Sequence, residues 1–280
     1  IAQCLVGSEM CIRDRYQVVE DMAAELSRSD FEPLDFELDF SRAGDFEPVE
    51  LGGGEGQVQL SGIADRVDGW LHEGKLYLRV VDYKTGKKKF SLSDVWYGMG
   101  LQMLLYLFSL EAGGQRRYGR ETVPAGVMYV PARSPMLSMS RAPEEGEAET
   151  LRQEEVRRSG MVLDDKALLE AWERGEDKRY IPLKFRYGRP TEDSIASLER
   201  MGVLERHIKK TLGSMTRQLR QGSIAADPYY RSQQENACLN CDYYEACRFS
   251  EGQGGESSRY TPKLSPEKVW ALMEGDGENG

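Results

Sequence analysis

The chain has 280 residues, 40% of them hydrophobic and 30% charged, with a formal net charge of −10 at pH 7; this is the composition of a soluble globular protein with chain enough for one large domain or two smaller ones. Its longest apolar stretch, Met103 to Phe108, is far too short to cross a bilayer and reads as part of a buried helix, so no membrane function is implied. The acidic balance weighs mildly against a dedicated nucleic-acid-binding domain, while leaving room for a local basic strip and for a carboxylate metal site that adds negative charge of its own.

Residues 1–15 contain a cysteine-bearing apolar stretch but no basic leader and no small-residue cleavage site, so they do not read as a secretion signal. The run Val6 to Arg15 looks like the translation of a transposase adapter used in sequencing libraries, and residues 1–15 are set apart as a non-native segment. Tyr16 to Ser29 has helical spacing in Val18, Val19, Met22 and Leu26 and reads as the tail of a helix. Phe31 to Phe40 alternates apolar and acidic residues, the pattern of a strand. Gly52 to Gly56 is a loop. Gln57–Val67 and Lys75–Lys84 read as two further strands, with a turn at Glu73-Gly74 between them.

Ser93 through Leu110 has helical periodicity after a basic connector, Lys87 to Lys89, and it places Gln102 and Tyr106 four apart on one face. Val123 to Val130 is a buried strand, and the proline-containing, acid-rich stretch 131–155 an excursion or loop. A long basic helix spans Ser194 to Gln221, closed by Gly222. His72, in the predicted turn, and His207, on that helix, are expected to face solvent. Residues 251–280 read as a loose tail with a short helix at Pro266 to Met273.

Chemistry concentrates at the hairpin. Asp82 and Lys84 are two apart in one strand and share a face. With the turn at Glu73-Gly74, Asp65 falls directly opposite Asp82, and cross-strand partners hold their Cβ atoms roughly 5 Å apart. Two carboxylates and a lysine at a strand end suit phosphodiester hydrolysis, with hard oxygens for Mg²⁺ and an ammonium beside the attacking water or the scissile phosphate. Asp68, three residues beyond Asp65, lies on the opposite face and has a supporting role at most.

A bare Asp-x-Lys is most often a surface ion pair, but here it stands in a longer pattern. Gly62-Ile-Ala-Asp65, Asp82-Tyr-Lys84 and Gln102-x-x-x-Tyr106 follow one another in order. This resembles the RecB-type branch of the PD-(D/E)xK nucleases. The resemblance implies an α/β fold, a restriction-endonuclease-like mixed sheet flanked by helices. It makes Asp65, Asp82 and the Tyr83 carbonyl metal ligands, Lys84 the catalytic lysine, and Gln102 and Tyr106 DNA-facing or site-ordering residues.

Two of the five cysteines, Cys4 and Cys11, fall in the segment set apart; the others cluster at Cys238, Cys241 and Cys247. Three clustered thiols are no disulfide framework and point to metal ligation in a reducing cytoplasm, with iron-sulfur and zinc both open. The Cys-x2-Cys-x5-Cys spacing, its place after the Gln-x-x-x-Tyr helix and the flanking Tyr243, Tyr244 and Phe249 resemble the B subunits of AddAB helicase-nucleases. That family implies a [4Fe-4S] cluster with a fourth, upstream cysteine, which this chain lacks, and a structural role for the cluster in binding DNA ends. It further implies exonucleolytic processing of double-strand breaks for recombinational repair, acting on DNA ends and single strands with an AddA-type helicase-nuclease partner. The expected organisation is a nuclease core over 16–222, an iron-sulfur lobe over 223–250 and the tail beyond. Two alternatives remain, a CRISPR-associated iron-sulfur exonuclease and a catalytically silent DNA-end-binding scaffold.

Overall fold

The computed structural model of the chain describes residues 16, 18–41, 44–47, 49–51, 58–86, 88–132, 146–252 and 256–277. The segment 1–15, with Cys4 and Cys11, and residues 133–145 of the acid-rich excursion lie outside these. In chain order the elements are helix α1 (18–27), strands β1 (Glu32–Phe40), β2 (Val49–Leu51), β3 (Val58–Leu60), β4 (Gly62–His72) and β5 (Lys75–Lys84), and helices α2 (Leu92–Trp96) and α3 (Gln102–Tyr118). Then follow β6 (Thr122–Pro131), α4 (Glu147–Glu155), β7 (Ser159–Leu163), α5 (Lys166–Trp172), β8 (Phe185–Arg186), β9 (Arg189–Pro190) and β10 (Ile195–Ala196). The chain continues through α6 (Leu198–Arg220), β11 (Tyr229–Ser232), β12 (Glu235–Asn236), α7 (Tyr244–Cys247), β13 (Arg259–Tyr260) and α8 (Pro266–Gly277).

Six strands make one mixed sheet in the order β1-β4-β5-β6-β7-β10. β1, β4 and β5 are antiparallel neighbours, β5 and β6 run parallel across the crossover through α2 and α3, β7 returns antiparallel, and β10 lies parallel to β7. The parallel pair sits in the middle of the sheet. Leu78, Val80, Val81, Ala125, Val127 and Met128 are all fully buried, which is why both strands read as near-continuous apolar runs rather than alternating ones. Helices α3 and α6 pack together on one side, α3 lying over β5 and β6. On the other side Arg79 of β5 meets both Trp172 of α5 and Glu25 of α1. The architecture is the α/β mixed sheet flanked by helices that the sequence implied.

The hairpin between β4 and β5 closes as expected on Glu73 and Gly74, whose φ values of 48° and 80° are the left-handed pair that matches strand twist. β4 runs on to His72 rather than ending at Val67. His72 is half-buried and stacks on Trp70 at 4.4 Å, so it does not face solvent from a turn.

Four other expectations change. The helix over Ser93–Leu110 is two helices, because Gly98 (φ 80°) and Gly100 (φ 66°) take left-handed conformations that no α-helix continues through. The basic helix starts at Leu198, capped by Ser197, since Ile195 and Ala196 are drawn into the sheet beside Val162 and Leu163. His207 on that helix is buried and stacks on Trp96 at 4.8 Å, carried inward with Met201, Leu204 and Ile208. The stretch 131–155 contains helix α4.

The C-terminal segment is no loose tail where it is described. Val269 and Trp270 of α8 are fully buried and the Trp270 indole donates to the Glu192 carbonyl at 2.9 Å, so apolar burial and one long-range hydrogen bond dock the helix. The lobe expected over 223–250 likewise extends further, because β13 pairs with β11. Arg231 fastens that lobe to α2 through Asp94 at 2.8 Å.

Candidate active site

The ladder between β4 and β5 runs from His72 opposite Lys75 to Arg66 opposite Val81. The next position holds Asp65 and Asp82, and there a side chain takes over: Asp65 Oδ2 accepts from the Tyr83 N–H at 2.8 Å. That bond fixes Asp65 against β5. Asp82 is buried, and its Oδ2 meets the Lys84 ammonium at 2.6 Å. Burial pushes the Asp82 carboxyl above the usual range; Lys84 opposes this and the charge of Asp65 adds to it.

Asp65, Asp82, Lys84 and the Tyr83 backbone are thus brought together as anticipated. Lys88 is a residue the sequence reading passed over as part of a connector. It lies near enough to influence Asp82 and sits over the Tyr129 ring at 5.5 Å. Tyr129 pairs with Asp82 in the β5–β6 register, and burial followed by the Asp82 charge pushes its phenol up to about 12.

Gln102 and Tyr106 separate into different roles. Gln102 is exposed and donates from Nε2 to the Tyr106 hydroxyl at 3.0 Å. Tyr106 is buried and stacks on Phe40 at 4.7 Å, so its ring is packed into the core and is not presented at the surface. Its hydroxyl occupies the space where a side chain at Gly62 would begin, 2.0 Å from an ideal Cβ. The glycine of Gly-x-x-Asp is therefore a seat for the tyrosine of Gln-x-x-x-Tyr. Gly62→Ala is expected to displace Tyr106 and to destabilise by about 1–3 kcal/mol. Adding Tyr106→Phe, which removes the clashing oxygen, should recover most of that loss in urea unfolding; an additive double variant would contradict this seating.

Behind the carboxylates lies a buried ionic cluster that the sequence reading missed. Arg66 binds Glu25 Oε1 at 2.8 Å and Asp68 Oδ1 at 2.8 Å, and donates to the Tyr83 hydroxyl. Arg79 binds Asp68 at 2.8 Å, and Arg158 binds Glu25 at 3.0 Å and Asp21. Glu25, Arg66, Asp68, Arg79 and Arg158 are each at most 3% exposed. Burial works against the Arg66 charge, but Asp68 and Glu25 hold its guanidinium more firmly protonated than usual. Asp68 is thus a structural partner, and Tyr83, whose carbonyl faces the candidate metal position by resemblance, is held at its other end.

The donor set at Asp65, Asp82 and the Tyr83 carbonyl is all hard oxygen, with Asp82 buried beside the Lys84 ammonium, and it suits Mg²⁺. The cysteines differ. Cys238 is half-buried while Cys241 and Cys247 are exposed, and among the described residues no three His, Cys, Asp or Glu side chains gather to hold a metal ion. Three thiols do not by themselves make a four-thiolate cluster site.

The family model of the PD-(D/E)XK nuclease superfamily matches residues 9–248. The chain belongs to the PD-(D/E)XK nuclease superfamily. Curated relatives of this nuclease chain are named as the B subunit of an ATP-dependent helicase/deoxyribonuclease. The protein of Ruminiclostridium cellulolyticum is 31% identical over 253 residues, covering 89% of this chain and 22% of its own length. That of Clostridium tetani is 32% identical over 257 residues (90% and 22%), and that of Acetivibrio thermocellus 29% over 265 residues (92% and 23%). The nuclease chain thus spans less than a quarter of the length of these relatives. No described helix is long and apolar enough to cross a membrane.

Proposed function

We propose that this chain is the Mg²⁺-dependent deoxyribonuclease part of a helicase-nuclease subunit, hydrolysing DNA strands at double-strand ends during recombinational repair in the cytoplasm, beside an AddA-type partner. The observation that carries the reading is the convergence of Asp65, Asp82 and Lys84 at one strand end, in a superfamily of nucleases whose relatives of this chain are named as deoxyribonuclease subunits.

Asp65, Asp82 and the Tyr83 carbonyl would hold the ion. Bound there, Mg²⁺ supplies Lewis acidity towards a phosphate oxygen and acidifies water. The remaining work falls to the chain. The Tyr83 N–H fixes the Asp65 carboxylate, and burial keeps Asp82 short of solvent so that its charge is little screened. Lys84, about a third exposed, carries an ammonium from the carboxylate edge towards solvent, where it stabilises negative charge developing on the scissile phosphate.

The test is degradation of end-labelled linear duplex DNA by the complete subunit with its partner, in Mg²⁺ or Mn²⁺, comparing wild type with Asp65→Asn. Survival of one labelled strand in the variant alone supports hydrolysis at this site and identifies the strand; equal degradation of both strands by both proteins sinks it in favour of a binding scaffold.

For the cysteines, the proposal is a [4Fe-4S] cluster on Cys238, Cys241 and Cys247, completed by a ligand outside the described residues, with a structural role in holding DNA ends. Metal analysis of the anaerobically purified protein decides the matter: iron and sulfide near four each per chain fit it, and one zinc without sulfide removes it.

A further inference from the structure

The hairpin of β8 and β9 has features that neither folding nor burial explains. Phe185 pairs with Pro190 and Arg186 with Arg189, leaving Tyr187 and Gly188 as a two-residue turn. Both take left-handed conformations, φ 52° and 75°, the geometry for which asparagine followed by glycine is preferred. A bulky aromatic residue at positive φ is strained. Tyr187 is also 92% exposed, so it recovers nothing by packing.

The whole tip is apolar and basic at once. Residues 185–189 are all exposed, Phe185 at 45%, and the Arg186 guanidinium lies 5.5 Å from the centre of the Tyr187 ring. Aromatic faces interleaved with arginines suit unpaired bases and the phosphates between them.

The base of the hairpin, by contrast, is rigid. Thr191 N–H donates to the Lys184 carbonyl at 2.8 Å, Lys184 N–H to Ser194 Oγ at 3.0 Å, and the Lys184 ammonium pairs with Asp193 at 2.5 Å. Val162 N–H donates to the Ser194 carbonyl at 3.0 Å, which ties this base to β7. The segment enters β10 from the end of the sheet where β5 and β6 finish, the end that carries Asp82 and Lys84. Three strand spacings separate β10 from β5, about 14 Å. The anchored stalk thus enters the sheet at the end that carries Asp82 and Lys84, and it ends in a strained, exposed aromatic.

We propose that the Phe185–Arg189 hairpin is a docking element for single-stranded DNA, with Tyr187 stacking on an unpaired base and Arg186 and Arg189 meeting its phosphates. This rests on the nuclease reading, for which it supplies a means of leading one strand towards Asp65 and Asp82.

The experiment is fluorescence anisotropy of a dye-labelled single-stranded oligonucleotide with the full chain in EDTA, so that binding is read without hydrolysis. Tyr187→Asn is the informative variant, because asparagine suits the left-handed turn. The expected result is an unchanged or higher thermal midpoint together with affinity weakened on the order of tenfold or more. Arg186→Ala and Arg189→Ala should each flatten the log–log salt dependence by about 0.7. Unchanged affinity and salt slope in these variants overturn the proposal, as does a wild-type chain with no affinity for single strands. Weakened association with the helicase partner at unaltered DNA affinity also overturns it, making the tip a protein contact. Binding is read in EDTA and on variants of the hairpin alone, so loss of the nuclease reading in the degradation assay is told apart from loss of this one.

Discussion

Asp82→Asn is expected to reduce Mg²⁺-dependent DNA hydrolysis by on the order of 10³ or more, since a metal site contributes several kcal/mol of charge stabilisation and each 1.36 kcal/mol is about tenfold in rate. The same substitution should stabilise the fold at neutral pH. Burial, the largest influence, raises the Asp82 carboxyl above 3.8; Lys84 opposes this, and Asp65 adds to it. A carboxyl with a raised folded-state value binds its proton more tightly in the folded protein than in the unfolded one. Its favourable contribution is therefore complete below about 3.8 and is lost as pH rises through the folded value. At pH 7 the ionised side chain opposes folding, and asparagine removes that opposition at the cost of the proposed metal ligand. Calorimetry in EDTA should show the variant melting a few degrees higher at pH 7, at about 2–4 °C per kcal/mol. The gap should narrow as pH falls towards 4. Mg²⁺ should raise the wild-type midpoint by mass action and leave the variant's unmoved. A variant that melts lower than wild type at pH 7 would mean that the Lys84 pairing outweighs desolvation.

The parts of this site that could be read from sequence are those whose determinants are local. The Glu73-Gly74 turn fixes the β4–β5 register within a few residues, and from that register Asp65 and Asp82 fall side by side. Lys84 follows by the two-residue period of a strand. The meaning of Gly62 and Tyr106 was only half visible. Their motifs could be recognised, but that the tyrosine hydroxyl fills the place of a glycine side chain is a contact between residues 44 apart.

The rear of the site was hidden for a stronger reason. Glu25 and Arg158 are 133 residues apart in the chain. Helix α1, moreover, presents a misleading apolar stripe: Val19 is 61% exposed while Glu25 is 2% exposed. One signal was available. Arg66 and Asp68 interrupt β4, and Arg79 sits in the run Leu78 to Val81 in the middle of a sheet covered on both sides. Charges in such strands must find partners, because an unpaired buried ion is too costly to keep. The C-terminal helix is where the sequence places one, but its docking was hidden in the same way, Trp270 finding a carbonyl 78 residues away.

Glu25→Ala puts this cluster to a quantitative test and should lower stability by about 3–5 kcal/mol, the usual result of stripping one partner from a buried ion pair. Glu25 accepts from Arg66 on one oxygen and from Arg158 on the other, and Arg79 lies 3.8 Å from the first, so its removal takes a counter-charge from three buried guanidinium groups. At about 2–4 °C per kcal/mol the thermal midpoint should fall by at least about 6 °C. Removing a positive partner together with it should cost less than the sum of the two single changes, because Glu25→Ala/Arg158→Ala restores the balance of charge. The consequence should also reach the front of the sheet. Arg66 holds the Tyr83 hydroxyl and Asp65 holds the Tyr83 N–H, so a loosened Arg66 frees the residue whose carbonyl is proposed to complete the oxygen set. In Glu25→Ala the Mg²⁺ concentration for half-maximal cleavage should therefore rise at temperatures where the protein is fully folded. A variant that is destabilised yet keeps the wild-type Mg²⁺ requirement would show that the cluster holds the strands together without positioning Tyr83, and strict additivity in the double variant would show that Glu25 and Arg158 are not coupled at all.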